Sequence, residues 1–231
     1  MERIDFNRGE IYFYNKHNQV RTKVSMSGLT TYIYDNDETK IAFCTNFTPV
    51  KYLIAPLFVI SSVSASGKTT IVESIISKIG MPRLVTTTTR KIREGETGSE
   101  YNFVDETKFK QMMEVDNFIE HACVYGNFYG LSKNELVKSL DTPRIIILDV
   151  KGYNTIKSIY PNTVGIFILP PERTELERRL NGRNGDPVDI AKRLGEMDDE
   201  LLNVDKYDYT IKNGDLDGMI CEMLNIITES I

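Results

Sequence analysis

The chain has 231 residues, 41% hydrophobic and 26% charged, a balance ordinary for a globular protein and a length suited to one medium domain plus an appendage. Its formal net charge of -5 argues against a nucleic-acid polymer as partner, since basic faces hold such polymers. It leaves room for arginines gathered in one cleft around a small phosphate substrate. Met1-Glu2-Arg3-Ile4-Asp5 carries no signal-peptide core and no apolar stretch is long enough to span a bilayer, so a cytoplasmic protein with no membrane partner is expected. Cys44, Cys123 and Cys221 are few and widely spaced, which reads as reduced, buried thiols rather than disulfides or a metal cluster.

Residues 1–55 read as a small antiparallel β meander. Ile11–Tyr14, Gln19–Met26, Thr30–Tyr34 and Lys40–Cys44 are β-branched and aromatic, and turn-forming clusters at 15–18, 27–28 and 35–37 separate them. A structural cap or a dimerisation surface is the simplest use for such a segment, and His17 falls in one of its turns. From Leu57 onward strands and helices alternate: a strand at Leu57–Ser61, a helix ending near Lys78, and a stop at Gly80-Met81-Pro82. Arg144–Asp149 and Thr163–Leu169 are continuous apolar runs of the kind buried on both faces of a parallel sheet. Helices are expected over 172–181, 188–203 and 216–229, with a strand near Tyr209–Lys212. The pattern predicts an α/β three-layer fold with a parallel sheet, over 56–231, behind the small N-terminal β segment.

Between the first parallel strand and its helix lies Ser62-Val63-Ser64-Ala65-Ser66-Gly67-Lys68-Thr69-Thr70. A small-residue loop in that position presents backbone N–H groups and a helix N-terminus to phosphate oxygens. Lys68 then reaches the outer phosphates and the Thr69 hydroxyl ligates Mg²⁺. The bland alternative is a Ser-rich turn with a solvated lysine, because the glycine usual five residues before Gly67 is Ser62 here.

Further motifs follow in order: Thr87-Thr88-Thr89-Arg90-Lys91-Ile92-Arg93-Glu94-Gly95-Glu96, Tyr101-Asn102-Phe103-Val104, Phe118-Ile119-Glu120 and Gly126–Gly130. Then come Pro170-Pro171-Glu172, Arg178 and Arg179, Arg183, and Arg193-Leu194. Together with the phosphate loop this ordered set resembles the guanylate kinase family over about 55–229. The resemblance implies a P-loop kinase that passes a phosphoryl group from ATP to GMP or dGMP, with Mg²⁺, as a monomer or homodimer. It also implies roles. Ser64, Ala65, Ser66, Gly67, Lys68, Thr69, Thr70 and Asn213 would hold ATP. Arg90, Arg93, Tyr101 and Tyr129 would hold the acceptor phosphate. Glu120 would accept from guanine N1–H and the 2-amino group, Thr86 or Thr87 would offer a hydroxyl to O6, and Asp149 would sit on the GMP side. Lys68, Arg179, Arg183 and Arg193 would neutralise the transferring group, with an acceptor region over about 86–132 and a lid over about 181–195. Arg178 reads as a surface charge.

The chain departs from the family at several positions. Ser62 and Ala65 stand where glycine is usual, and a left-handed backbone at either would cost on the order of 1 kcal/mol or more. Of an aspartate pair at a strand end only Asp149 is present, with Ile147 at the earlier position and Lys151 where glutamine is usual. Leu131 replaces a hydroxyl residue that donates to guanine O6, and Ser132 opens a capping box with Glu135 instead of substituting for it. Relaxed base discrimination is therefore expected. Two other readings are a catalytically silent scaffold of the same fold that binds phosphorylated peptides, and a kinase for another acceptor, a (deoxy)nucleoside monophosphate or a phosphorylated sugar. The retained Lys68, Thr69 and arginines speak against the first.

Overall fold

The computed structural model describes residues 55–231 except 94–95, 97, 99–100, 125, 140–141, 161 and 183–186, and, within residues 1–54, the backbone of five strands. In the helix over 187–201 the side chains of 187–189, 192 and 196 are also outside the description. His17 and Arg183 fall outside the described residues.

The first strands are β1 (Arg3–Asn7), β2 (Glu10–Tyr14), β3 (Val20–Ser25), β4 (Thr30–Tyr34) and β5 (Lys40–Thr45). They pair antiparallel in chain order, so the segment is a meander. The strand not anticipated is β1. Its register sets Ile4 opposite Phe13 and Phe6 opposite Ile11, an apolar alternation with the two-residue period of a strand.

From Leu57 the order is β6 (Leu57–Ser62), α1 (Lys68–Ile79), β7 (Thr87–Thr88), β8 (Asn102–Phe103), α2 (Glu106–Glu114), β9 (Phe118–Val124) and β10 (Asn127–Ser132). Then follow α3 (Lys133–Val137), β11 (Arg144–Ile147), α4 (Val150–Ile159), β12 (Thr163–Ile168), α5 (Arg173–Asn181), α6 (Pro187–Leu201), β13 (Tyr209–Ile211) and α7 (Leu216–Ser230). The expected strands and helices of this part are present to within a residue or two at most ends.

Four strands, in the order β11-β6-β12-β13, form an all-parallel sheet. Strand alternation sorts β6 between two cores. Phe58 and Ile60 join Ile71, Val72 and Ile75 of α1 and Met219, Met223 and Ile227 of α7. Leu57 and Val59 face the other way, toward Tyr153 and Ile156 of α4, Leu176 and Leu180 of α5, and Met197 of α6. Helices on both faces explain why β6 reads as an unbroken apolar run, and they make the three layers. Each fully buried side chain of this size contributes roughly 1.5–3 kcal/mol. A second sheet, β8-β7-β10-β9, is mixed, with β10 antiparallel to both its neighbours.

Two of the three thiols correct one expectation, while the side chain of Cys44 lies outside the described residues. Cys123 and Cys221 are free and exposed. Cys123 shares the outward side of the edge strand β9 with His121, and Cys221 lies beside the exposed Glu222 while Met219, Ile220 and Met223 of α7 turn inward. Burial of a cysteine depends on the face it falls on, which its spacing does not reveal. No helix among the described residues is long and apolar enough to cross a membrane.

Gly165 of β12 exists for a steric reason. A Cβ there would meet the Tyr153 ring at 2.4 Å. That ring is buried, stacks on Tyr207 at 3.9 Å between centroids, and donates its hydroxyl to the Lys206 carbonyl at 2.8 Å. Gly165→Ala is expected to destabilise the protein by about 1–3 kcal/mol, the usual cost of overpacking. Urea unfolding checks this, and an unchanged midpoint would mean that the Tyr153 ring moves aside freely.

Candidate active site

The parallel sheet decides where the loop after β6 opens. With β11 on one side of β6 and β12 on the other, the chain leaves the sheet at a topological switch point, where open α/β sheets form crevices. The Ser61 hydroxyl donates to the Leu148 carbonyl at 2.9 Å and ties the two strand ends together. Beyond it, Ala65 (φ 67°) and Gly67 (φ 93°) adopt left-handed backbone. Ser62 does not: it ends β6, is buried, and its hydroxyl donates to the Val63 carbonyl at 2.9 Å. Of the two missing glycines, then, only Ala65 carries conformational strain, about 1–2 kcal/mol.

Gly67 also leaves α1 without a side-chain cap. Side chains of Asp105, Ser132, Asp149 and Asp215 cap α2, α3, α4 and α7. The first-turn N–H groups of α1 therefore face the crevice without a capping side chain, the arrangement that attracts phosphate oxygens. Lys68 Nζ donates to the Ser62 carbonyl at 2.5 Å across the same loop. Thr69 and Thr70 are exposed at the helix start.

Three distant side chains converge on this loop. Arg179 of α5 donates to the Ala65 carbonyl at 3.4 Å, Arg193 of α6 to Ser64 Oγ at 3.2 Å, and Asn213 to the Ser66 carbonyl at 2.9 Å. Glu175 accepts from Arg179 Nε at 2.7 Å and from Arg178 through two nitrogens at 2.7 and 2.8 Å. The bonds from Arg178 and Arg179 pull the Glu175 carboxyl down to about 2. Arg178 is exposed, as expected, yet with Arg179, Asn213 and Met219 it lines a hollow behind the loop.

The second sheet builds the opposite wall. After β7 the chain turns back through Arg90 and Arg93, and Glu96 accepts both from the Arg90 guanidinium and from the Arg93 backbone N–H. Burial works against the Arg90 charge, but the Glu96 carboxylate outweighs it and the arginine pKa is raised. Tyr101 lies 5.2 Å below that guanidinium and 5.9 Å from the Tyr129 ring, edge to face. Burial, with Tyr101 nearby, raises the Tyr129 hydroxyl against the pull of the arginines. Thr87 Oγ1 is already engaged, accepting from Asn102 Nδ2 at 3.2 Å. Of the two threonines, it is Thr86 that lines the cleft.

Glu120 on β9 projects into the floor. Burial raises its carboxyl to about 7, the nearby Asp149 charge adds to this, and a hydrogen bond from the Leu131 backbone N–H opposes it. Asp149 itself caps α4, accepting from Gly152 N at 2.7 Å. Leu131 faces Glu120 in the β-ladder with its side chain fully buried in the core. That corrects the expectation of an altered pocket wall: Leu131 touches the site through its backbone. Ser132 Oγ caps α3, accepting from Glu135 N at 3.2 Å. Glu135 completes no capping box, however; its carboxylate accepts from Val85 N and Lys138 instead.

One cleft of about 390 Å³ joins the two walls. It brings together Ser64, Ala65, Ser66, Gly67, Lys68, Thr69, Thr70, Thr86, Arg90, Arg93, Tyr101, Glu120, Tyr129, Asp149 and Arg193. Arg179 and Asn213 approach the same loop from its far side. Sequence reasoning assigned nothing to three further residues. Glu96 pairs with Arg90, Glu200 lines the cleft from the end of α6, and Arg83 lies 5.5 Å over the Tyr101 ring. None of the three carried a distinct signal: Glu96 shares the stretch after Arg93 with Glu94, and which of the two carboxylates would turn toward Arg90 cannot be read from the residues alone.

The guanylate kinase family model matches residues 55–230. The chain belongs to the guanylate kinase family. It is 36% identical over 177 residues to a guanylate kinase of Shewanella violacea, covering 74% of this chain and 86% of that one. To a guanylate kinase of Dechloromonas aromatica it is 36% identical over 179 residues, covering 75% and 89%. In structure it resembles the guanylate kinase of Anaplasma phagocytophilum with a TM-score of 0.64 at 29% identity, over 77% of this chain and 87% of that one.

The Glu120 shift has a thermodynamic consequence. Its ordinary value is 4.5 and its folded value about 7, so between them the folded protein holds a proton that the unfolded chain releases. Stability then falls as pH rises through that window, by about 3 kcal/mol in full. Glu120→Gln is expected to remove this slope and to gain on the parent progressively from pH 5 to pH 8. Urea unfolding across that range measures it, and parallel profiles would refute a proton-retaining Glu120.

Proposed function

We propose that the cleft transfers the terminal phosphoryl group of ATP to GMP or dGMP, giving ADP and GDP or dGDP. The observation that carries this reading is the convergence, in one cleft, of an uncapped helix N-terminus with an arginine–tyrosine wall and a half-buried carboxylate. The similarity to bacterial guanylate kinases over most of the chain supports it and favours neither a silent scaffold nor a different acceptor.

On the donor side, the loop from Ser64 to Thr70 and the first turn of α1 cradle the ATP phosphates, and Asn213 borders the base. Mg²⁺ fits here as a companion of the nucleotide. The described residues hold no cluster of three or more acidic, His or Cys ligands, whereas Thr69 places one exposed hydroxyl at the helix start. Such a cation takes its other ligands from phosphates and water, and neutralises phosphate charge when bound. On the acceptor side, Arg90, Arg93, Tyr101 and Tyr129 hold the nucleotide phosphate, while Glu120, with Thr86 and Asp149 near it, reads the base. An oxygen of the acceptor phosphate attacks the γ-phosphorus as the bond to the β-phosphate bridging oxygen breaks. That oxygen is already a competent nucleophile, so no general base is required. Lys68, Arg179 and Arg193 supply positive charge along this line, and the same part is assigned to Arg183 by the family resemblance alone. A single chain or a homodimer both suit the reaction.

Lys68→Ala is expected to abolish turnover while GMP binding stays within about threefold of the parent, because Lys68 serves the donor side. Coupled ADP release and calorimetry with GMP check the two halves. Loss of GMP binding together with activity would make Lys68 a structural residue.

Glu120 must be ionised to accept from N1–H and the 2-amino group together. Affinity for guanosine, which carries no titrating phosphate, should therefore fall about tenfold from pH 8 to pH 6. Glu120→Gln should cost about 1.5–3 kcal/mol in kcat/KM for GMP, the worth of hydrogen bonds to a charged group, and should flatten that pH dependence. Unchanged GMP kinetics in this variant would remove the guanine assignment.

A further inference from the structure

Arg90 is 9% exposed, and a guanidinium so buried has to be paired. Glu96 grips it end-on: Nη1 donates to Oε2 at 3.0 Å and Nη2 to Oε1 at 2.7 Å. The other Nη1 hydrogen goes to the Lys91 carbonyl at 2.8 Å. Glu96 Oε2 also accepts from the Arg93 backbone N–H at 2.7 Å, which closes the turn bearing both arginines. Beneath the guanidinium lie the rings of Tyr101 and Phe103, at 5.2 and 5.5 Å.

An arginine has five N–H donors in a planar fork. Three are spent on Glu96 and Lys91. The side edge, Nε–H with the second Nη2 hydrogen, has no acceptor among the described residues, and Arg90 lines the cleft. That edge can engage a phosphate through two parallel hydrogen bonds.

We infer that Glu96 is a positioning residue, which holds the end of the Arg90 guanidinium so that its side edge faces the phosphate of the acceptor nucleotide. The inference rests on the reading of this cleft as the GMP site. Without Glu96 only the Lys91 carbonyl would hold the guanidinium, leaving it to swivel toward solvent, and fixing it again would fall to the arriving nucleotide. The carboxylate does not cancel the attraction for phosphate, since Arg90 and Arg93 together outweigh its single charge. Burial alone would push the Glu96 carboxyl up, but the hydrogen bonds from Arg90 and from the Arg93 backbone hold it below the ordinary value, so it is ionised where the enzyme works.

An opposite role is conceivable for a carboxylate at this place: a stand-in for phosphate that GMP must displace. Two features count against it. The grip leaves the side edge clear, and displacement would break the bond to Arg93 N–H as well as both bonds to Arg90. The two roles also predict opposite signs. Removing a stand-in tightens GMP binding, and removing a positioning residue weakens it.

The test uses the full chain and calorimetry with GMP, guanosine and ATP. Glu96→Gln is expected to weaken GMP about tenfold, with guanosine and ATP affinities within about twofold of the parent. In an Arg90→Lys background, which has no fork to orient, Glu96→Gln should add no further loss for GMP. Unchanged or tighter GMP binding in Glu96→Gln would overturn the inference. So would equal losses for guanosine and ATP, which mark a fold defect, or a full loss persisting in the Arg90→Lys background. Failure of the parent chain to bind GMP would instead overturn the functional reading beneath it.

Discussion

The backbone donors at the start of α1 are the constraint around which the site is arranged. A helix begins with four N–H groups that its own turns cannot satisfy, and four other helices here use an Asp or Ser side chain to cap theirs. Helix α1 begins instead at a left-handed glycine with nothing to offer. The position is held open by the central strand β6, buried on both faces, and by the Ser61–Leu148 hydrogen bond at its end. Ala65 stays in a left-handed conformation that an alanine resists. Surrounding structure overdetermines that strain, which is how strain persists at working sites.

Positive charge is the second requirement, and it is supplied in a chain that is acidic overall. The arginines facing the cleft do not stand alone. Glu175 braces Arg179 and Glu96 braces Arg90, each through a hydrogen bond of 2.7 Å as well as charge. A braced guanidinium loses little freedom when a phosphate arrives, so the ordering cost is met during folding and not during binding. The arginines also reach the loop from separate elements, α5 and α6, so the cleft depends on how those helices pack against the sheet.

Glu120 shows the opposite balance. Its burial beside Asp149 costs stability once it ionises, and no described cation repays that cost. A half-buried carboxylate kept in this state suits a partner that brings its own N–H donors. Leu131 serves it with a backbone N–H while filling the core with its side chain, so one residue of β10 supports both packing and site.

Much of the fold was legible in the residues themselves. Apolar runs at 57–60, 145–148 and 163–169 announced a sheet buried on both sides, and Gly80 and Pro82 announced the end of α1. The loop chemistry of Gly67, Lys68 and Thr69 and the ordered arginines and tyrosines announced the site, because local pattern and residue type are what such motifs require. Other features depended on contacts between segments far apart in the chain. Only the folded arrangement decided that Ala65 and not Ser62 bears the strain, that Thr86 and not Thr87 faces the cleft, and that Leu131 points into the core. It also decided that Glu96 grips Arg90 and that Cys123 and Cys221 lie on outer faces. The amino-acid sequence sets which groups are present and the local backbone they favour. Which way a side chain turns, and which charge it meets, is settled by contacts with residues far along the chain, 147 positions apart in the case of Asn213 and Ser66.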